Sequence, residues 1–319
     1  MPAPIIDVVI PTYNAARYIG RAIASVRAQT LPVAGIVVVD DGSADDTGSI
    51  VKRSGSDIVL IEQANRGPAA ARNTGIGASR GDYVAFLDAD DEWFPITLER
   101  LSAAVQRYPE AALVTGDMAA ADARGRVTAE SWFERRGLAA VVAGWRGAPV
   151  PNAVAALLRK NFVSTSVALA RREVLVSLAG FRADLRYGED LELWARIAAR
   201  HPIVCLPEVL GLRREHPDNT TKSVEPMLRD LVKMSEIIRA WGADLLREQG
   251  VDPDEMVACA RTDLGYWYFS AGRLRDARRT LAAALRDHRS ARALRYLLLS
   301  CLPAGAVNGL RRVKAAIDG

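Results

Sequence analysis

Nothing constrains the fold of this chain more than the alternation that fills its first 117 residues. Short runs rich in β-branched residues read as strands at Asp7–Ile10, Ile36–Asp40, Ile58–Glu62, Tyr83–Asp88 and Ala112–Thr115. Between them the apolar residues recur at helical spacing, over Ala15–Gln29, Asp45–Arg53, Pro68–Ser79 and Pro95–Arg107. Pro68 and Pro95 suit a first helical position, where a missing N–H does no harm. Ser43 and Asp45 suit the N-cap of the second helix. Strands that are apolar throughout must be covered on both faces, which predicts an α/β fold with a mostly parallel central sheet and helices on both sides. Ligands of such sheets bind at the carboxyl ends of the strands. The polar clusters of this chain fall there: "PTYN" after the first strand, "DDGS" after the second, "NRGPAAARN" after the third and "DADD" after the fourth.

The rhythm breaks over residues 118–160, which are rich in Ala, Gly and Arg and read as a variable insert. It returns with a strand at Ser166–Ala170, helices near Arg171–Leu178 and Asp190–Arg200, and a β-like stretch at Val209–Arg214. From about Glu225 the pattern is helical, over 226–247, 256–270, 274–287 and 290–300. The expected domains are therefore 1–224 and a helical appendage, 225–319. Within the appendage, residues 262–288 resemble one tetratricopeptide-type helix pair with Gly272 at its turn. One such pair cannot bury its own face, so it should pack on the main domain or a partner.

Composition excludes several classes. Lys and Arg number 42 against 38 Asp and Glu, a net charge of +4, which suits anionic ligands without pointing to nucleic acid. Three widely spaced cysteines, Cys205, Cys259 and Cys301, form no disulfide or zinc pattern and suit a reducing, cytoplasmic compartment. The start, "MPAPIIDVVIPTYN", shows no signal-peptide pattern, and no run of about 18 apolar residues predicts a spanning helix. The closing stretch is apolar and then basic, which suits terminal packing or a peripheral contact with a membrane face.

The stretch "FLDADDEWF", Phe86–Phe94, sets the chemical problem. Asp88, Asp90, Asp91 and Glu92 follow a buried strand, and clustered carboxylates are costly without a neutralising charge. A hard divalent cation such as Mg²⁺, held by one or two carboxylates plus substrate phosphates, supplies that charge. The plainer alternative is an acidic turn capping the next helix. Asp40 and Asp41 end the second strand, as a turn or as acceptors for a base or ribose. Arg66 and Arg72 flank a helix start, and Arg72 suits a diphosphate or a surface salt bridge. "GIGASRG" follows a helix rather than a strand, and "PTYN" carries no glycine, so neither a dinucleotide fold nor a P-loop is indicated.

Taken in order, "PTYN" (11–14), "VVVDDGSADDT" (37–47), "NRGPAAARNTGI" (65–76), "FLDADD" (86–91) and "GEDLELWAR" (188–196) resemble the family 2 glycosyltransferases with the GT-A fold, over residues 5–223. The resemblance implies a nucleotide-sugar-binding half, 1–117, and an acceptor half, 118–224. It implies that Pro11, Thr12 and Tyr13 line the base pocket, that Asp40 or Asp41 contacts the base, that Arg72 meets the nucleotide, and that Asp88 reaches the ribose or the metal shell. Asp90 would ligate Mn²⁺ or Mg²⁺ on the diphosphate, with His216 at the diphosphate or metal. Asp91 matches less directly and is assigned to capping the following helix. Glu189 and Asp190 match the family's Glu-Asp pair, Asp190 as general base in an inverting displacement. Trp194 would stack on a sugar or pack in the core. The implied partners are a donor, first of all a UDP-sugar, and a glycan or lipid-linked acceptor of surface polysaccharide synthesis. The Gln-x-x-Arg-Trp motif of processive synthases is missing, so transfer of a single sugar is expected. Asn219-Thr220-Thr221 matches a glycosylation sequon, expected to go unused. The rival classes are a nucleotidyltransferase, which would want a glycine-rich basic loop after the first strand, and a non-catalytic scaffold, which would not need the acids.

Overall fold

The computed structural model describes residues 4–216 and 224–302, and the chain divides into two compact units, Met1–Asn219 and Thr220–Gly319. The first unit opens with β1 (Ile6–Thr12), α1 (Ile19–Arg27), β2 (Gly35–Asp40), α2 (Thr47–Ser54), β3 (Ile58–Glu62), α3 (Pro68–Ala78) and β4 (Tyr83–Phe86). These four strands pair in parallel in the order β3-β2-β1-β4. The chain reverses its lateral direction between β1 and β4, so the crevice at their carboxyl ends is a topological switch point. β1 shows why the strands read as continuous apolar runs, since all its residues are buried. Val9 packs with Val37, Val39 and Phe86 on one face, while Val8 and Ile10 pack with Ile19, Ile23 and Leu98 on the other. Each large aliphatic side chain buried in this way contributes about 1.5–3 kcal/mol.

Next come β5 (Glu92–Trp93), α4 (Thr97–Arg107), β6 (Leu113–Asp122), β7 (Val127–Ala129), α5 (Trp132–Arg135), α6 (Ala139–Trp145) and α7 (Ala153–Arg159). The unit closes with β8 (Ala168–Arg171), α8 (Arg172–Ser177), α9 (Glu189–Ala198) and β9 (Ile203–Glu215). The sheet runs β3-β2-β1-β4-β8-β6-β9-β5, with β7 beside β6. β8 is antiparallel to β4 and β6, whereas β9 is parallel to β6 and antiparallel to β5.

Several local expectations need correcting. Residues 118–160, read as a variable insert without the strand–helix rhythm, hold regular elements. They finish the long strand β6, whose alanines lie buried beside β9, and then form β7 and α5–α7. Small side chains are what that position admits: a Cβ on Gly116 would come within 2.5 Å of Leu210. β9 is correspondingly longer than Val209–Arg214, because its parallel pairing with β6 runs from Ile203 to Glu215. α1 begins at Ile19 because Ala15–Tyr18 is a turn, and α4 begins at Thr97, past Pro95. Pro68 does take the first position of α3. Neither Ser43 nor Asp45 caps α2. Ser43 Oγ accepts the Asn14 N–H, and Asp45 accepts the Ala16 and Thr47 N–H groups, so both clamp the loop after β1 to the loop after β2.

The second unit contains α10 (Val224–Glu248), α11 (Pro253–Ser270), α12 (Leu274–Asp287) and α13 (Ala291–Ser300). α11 and α12 form an antiparallel pair turning at Gly272, whose φ of +80° suits glycine. Gly265 lets them approach, since a Cβ there would sit 2.7 Å from Leu281. Leu264, Tyr268, Phe269, Leu281 and Ala293 make the core, with Leu228 and Val232 of α10 packed on it, so the pair buries its face against α10 and α13. Among the described residues no helix is long and apolar enough to cross a membrane. The sequon at Asn219 and most of the basic closing stretch lie outside the described residues.

Candidate functional site

The loops after β1, β2, β3 and β4 meet at the switch point, and internal hydrogen bonds shape each of them. Pro11 and Thr12 are buried at the end of β1, and the Thr12 hydroxyl has no hydrogen-bond partner. Tyr13 follows and is 54% exposed. Asp40 is buried and accepts the Ser43 N–H. Asp41 turns inward as well. Its carboxylate accepts Gln63 Nε2 at 2.7 Å and the backbone N–H groups of Arg66 and Gly67 at 3.0 and 2.7 Å. It thereby holds the loop that leads into α3.

Arg72 is not a surface residue. Its side chain is 7% exposed and bridges two acids, Nη2 donating to Asp88 Oδ1 and Nη1 to Glu189 Oε1, both at 2.9 Å. Burial opposes its charge, but Asp88 and Glu189 more than offset that and hold its pKa above the ordinary value. The guanidinium also lies 5.3 Å from the Phe181 ring, and Asn73 pairs twice with the Phe181 backbone. α3 thus ties the parallel strands to the segment that leads into α9.

Asp88, Asp90 and Asp91 form a tight turn between β4 and β5, closed by the Asp91 N–H to the Asp88 carbonyl. Asp88 is the most open of the three, with its side chain 35% exposed. Asp90 Oδ2 lies 3.0 Å from His216 Nε2, and the His216 ring stacks on Tyr18 at 4.7 Å. Burial first, and then Asp88, push the Asp90 carboxyl above its ordinary pKa. Asp91 does not cap α4. It is buried, accepts Ser166 Oγ at 2.5 Å and the Arg214 N–H at 3.0 Å, and is raised well above its ordinary pKa by burial and its two acidic neighbours. Asp91 therefore locks this turn onto β9 and onto the segment just before β8.

Glu189 and Asp190 open α9. Glu189, held by Arg72, is pushed up to about 7 by burial and then by Asp190. Asp190 accepts the Thr165 hydroxyl at 3.3 Å and its neighbour's N–H, from Leu191, at 2.7 Å. Trp194 does not reach a ligand surface: it is fully buried, 5.5 Å from Phe181 and 6.2 Å from Phe86.

The structure brings Asp88, Arg72, Glu189 and Asp190 into one connected group, and Asp90 and His216 into another beside it. Among the described residues, the group of three acids or histidines whose ligand atoms lie within 4.8 Å of one another is Asp252, Glu255 and His288 in the helical unit, not Asp88, Asp90 and His216. A hard cation that keeps substrate phosphates and waters needs only one or two carboxylates from the protein, and these oxygen donors fit that chemistry. Sequence reasoning missed Thr165, Ser166, Gln63 and Tyr18. The signal for the first two was "STS" just before β8: an antiparallel strand brings its start, not its end, to the ligand edge.

Residues 7–175 match the family model described as glycosyl transferase family 2, which is more than half of the chain. The chain belongs to that family. Among curated family members, a glycosyltransferase of uncharacterized function from Nostoc sp. is 47% identical over 100 residues, 30% of this chain and 31% of that protein. The glycosyltransferase GlyA of Streptococcus pneumoniae is 46% identical over 89 residues, 27% of this chain and 13% of that protein. These alignments span about a third or less of each relative's length. Two solved structures of glycosyltransferases share the GT-A fold. S. aureus TarS 1–349 in complex with UDP-GlcNAc has a TM-score of 0.67 at 18% identity, covering 98% of this chain and 91% of that one. The mannosyltransferase PcManGT of Pyrobaculum calidifontis, in complex with GDP-Man and Mn²⁺, has a TM-score of 0.60 at 22% identity, covering 98% and 81%.

Proposed function

We propose that this chain transfers one sugar from a nucleotide-diphospho-sugar to an acceptor hydroxyl, with inversion at the anomeric carbon. One observation carries this reading beyond family membership. Arg72 bridges Asp88, at the end of β4, to Glu189, at the start of α9, and so sets Asp190 beside the strand-end acids. In this reading the exposed Tyr13 and the unpartnered Thr12 hydroxyl meet the nucleoside, next to Pro11 and Asp40, while Asp41 shapes the pocket wall. Mn²⁺ or Mg²⁺ held by Asp90 and Asp88, with His216 alongside, would neutralise charge on the departing diphosphate. Asp190, oriented by Thr165, takes the proton of the attacking hydroxyl. Glu189 is a positioning residue, since its carboxylate is committed to Arg72. A positioned base is worth about 10²–10⁴-fold in rate.

The solved relatives carry a UDP-sugar and a GDP-sugar, so a UDP-sugar is the first donor to test and a GDP-sugar the second. The acceptor is a glycan or lipid-linked saccharide of surface polysaccharide synthesis, met on the cytoplasmic side of the membrane, with the basic C-terminal stretch as a peripheral contact. The test is a panel of nucleotide-sugars with Mn²⁺, scored for nucleotide release by the wild type, Asp90→Asn and Asp190→Asn. Both variants should lose release of the active donor, by roughly a hundredfold or more. Full turnover by both would overturn the assignment.

A further inference from the structure

A second cluster of charge sits around Trp132, on α5. Three guanidinium groups surround this one indole: Arg213 at 5.0 Å, Arg135 at 5.2 Å and Arg136 at 5.9 Å from the ring. Only Arg135 has a counter-charge, Glu215 at 2.8 Å. Arg136 donates to the Asn161 carbonyl, and Lys160 Nζ donates to the Arg136 carbonyl. Among the described residues, no carboxylate lies within ion-pair distance of Arg136, Arg213 or Lys160. Burial and the neighbouring Arg213 hold Arg136 below its ordinary pKa. Like charges gathered on a half-buried surface raise the free energy of the protein until an anion arrives.

The indole is also held in place. Asp117, 1% exposed, accepts the hydroxyl of Ser131 and the N–H of Phe133, the residues on either side of Trp132. A ring fixed in this way with planar guanidinium groups around it offers an apolar face to a pyranose and bidentate donors to an anion. Its place in the fold links it to the site above. Arg213 lies near the carboxyl end of β9, the ligand edge, its backbone about 10 Å before that of His216, which follows the strand with its side chain on the other face. Asn161, which receives Arg136, precedes Thr165, the partner of Asp190, by four residues, at most about 14 Å of extended chain.

We propose that Trp132, Arg136 and Arg213 form an acceptor subsite for an anionic saccharide, one bearing a carboxylate or a phosphodiester near the hydroxyl that is glycosylated. The proposal rests on the transferase reading and adds to it the chemical class of the acceptor. The test is calorimetric titration with three probes: a tetrasaccharide of alternating glucuronic acid and N-acetylglucosamine, a glycerol phosphate tetramer, and neutral cellotetraose. One anionic probe should bind the wild type at least about tenfold more tightly than cellotetraose, the scale of one charge-assisted hydrogen bond. Which one binds separates a carboxylate from a phosphodiester acceptor. Arg213→Gln should lose that preference and Arg213→Lys, which keeps the charge but not the planar fork, should keep only part of it, while stabilisation by UDP or GDP with Mn²⁺ stays as in the wild type. Equal binding of all three probes, or an unchanged preference in Arg213→Gln, would overturn the subsite. Anion preference without any nucleotide binding would leave a saccharide-binding surface but remove the transferase reading, and with it the acceptor role.

Discussion

Replacing Arg72 by methionine tests the bridge between the two halves of the site. The guanidinium is 7% exposed and makes two charged hydrogen bonds of 2.9 Å, to Asp88 and Glu189. Removing one partner of a buried ion pair costs about 3–5 kcal/mol, because the charge left behind is uncompensated. The loss should fall mainly on Glu189, with its side chain 10% exposed, since Asp88 at 35% can be hydrated. A pH signature follows. Glu189 already titrates near 7 in the folded protein against an ordinary 4.5. A raised carboxyl pKa favours the protonated native state, so its contribution is complete below the unfolded value and is lost as pH rises through the folded value. At about 1.4 kcal/mol per pH unit, the wild type loses about 3 kcal/mol from this group between pH 4.5 and 7. Without Arg72 the folded pKa climbs further, so the Arg72→Met variant should lose more stability than the wild type between about pH 7 and 8, where Glu189 no longer adds to the wild-type slope. Adding Glu189→Gln should flatten the profile and restore about 2 kcal/mol, since replacing both partners of a buried pair is far milder than removing one. Hydrogen exchange of the β1 and β4 amides in urea reads this unit alone. A loss below about 1 kcal/mol, or a double variant no more stable than Arg72→Met, would refute the reasoning.

Gly75→Ala places a Cβ 2.3 Å from Val9 Cγ1 at the crossing of α3 and β1, and should cost about 1–3 kcal/mol in urea unfolding. Trp194→Ala should cost about 3–5 kcal/mol by the same measurement. Trp194→Phe should cost clearly less than Trp194→Ala, because it keeps a buried ring and the indole N–H has no hydrogen-bond partner to lose. Nucleotide diphosphate with Mn²⁺ at a hundred times its dissociation constant should stabilise the wild type by about 2.7 kcal/mol in a thermal melt, and Asp90→Asn should lose the Mn²⁺-dependent part.

The sequence made the parallel core legible because buried strands leave uninterrupted apolar runs, and β1 to β4 lie close to where those runs put them. The start of β6 was read at Ala112–Thr115, but its continuation escaped because "DMAAAD" has neither β-branched residues nor alternation; that part's strand character comes from tertiary pairing with β9. The acids were visible as a cluster, but their separate duties were not. Asp91 and Asp90 are adjacent in sequence, yet Asp91 faces Ser166 and Arg214 while Asp90 faces His216. Likewise, nothing near Arg72 in sequence hints at Glu189, 117 residues away. Pairings of that range depend on how the sheet is ordered, and local spacing does not encode them.

The order of the strands also bears on how such proteins diversify. The chain departs from β6 and re-enters on β8, its antiparallel neighbour, so the intervening stretch is in effect one oversized hairpin loop. Doubling the length of a flexible loop adds only about 0.6 kcal/mol of closure entropy. That excursion, Trp132 included, can therefore be lengthened, trimmed or exchanged while β1 to β4 keep their register.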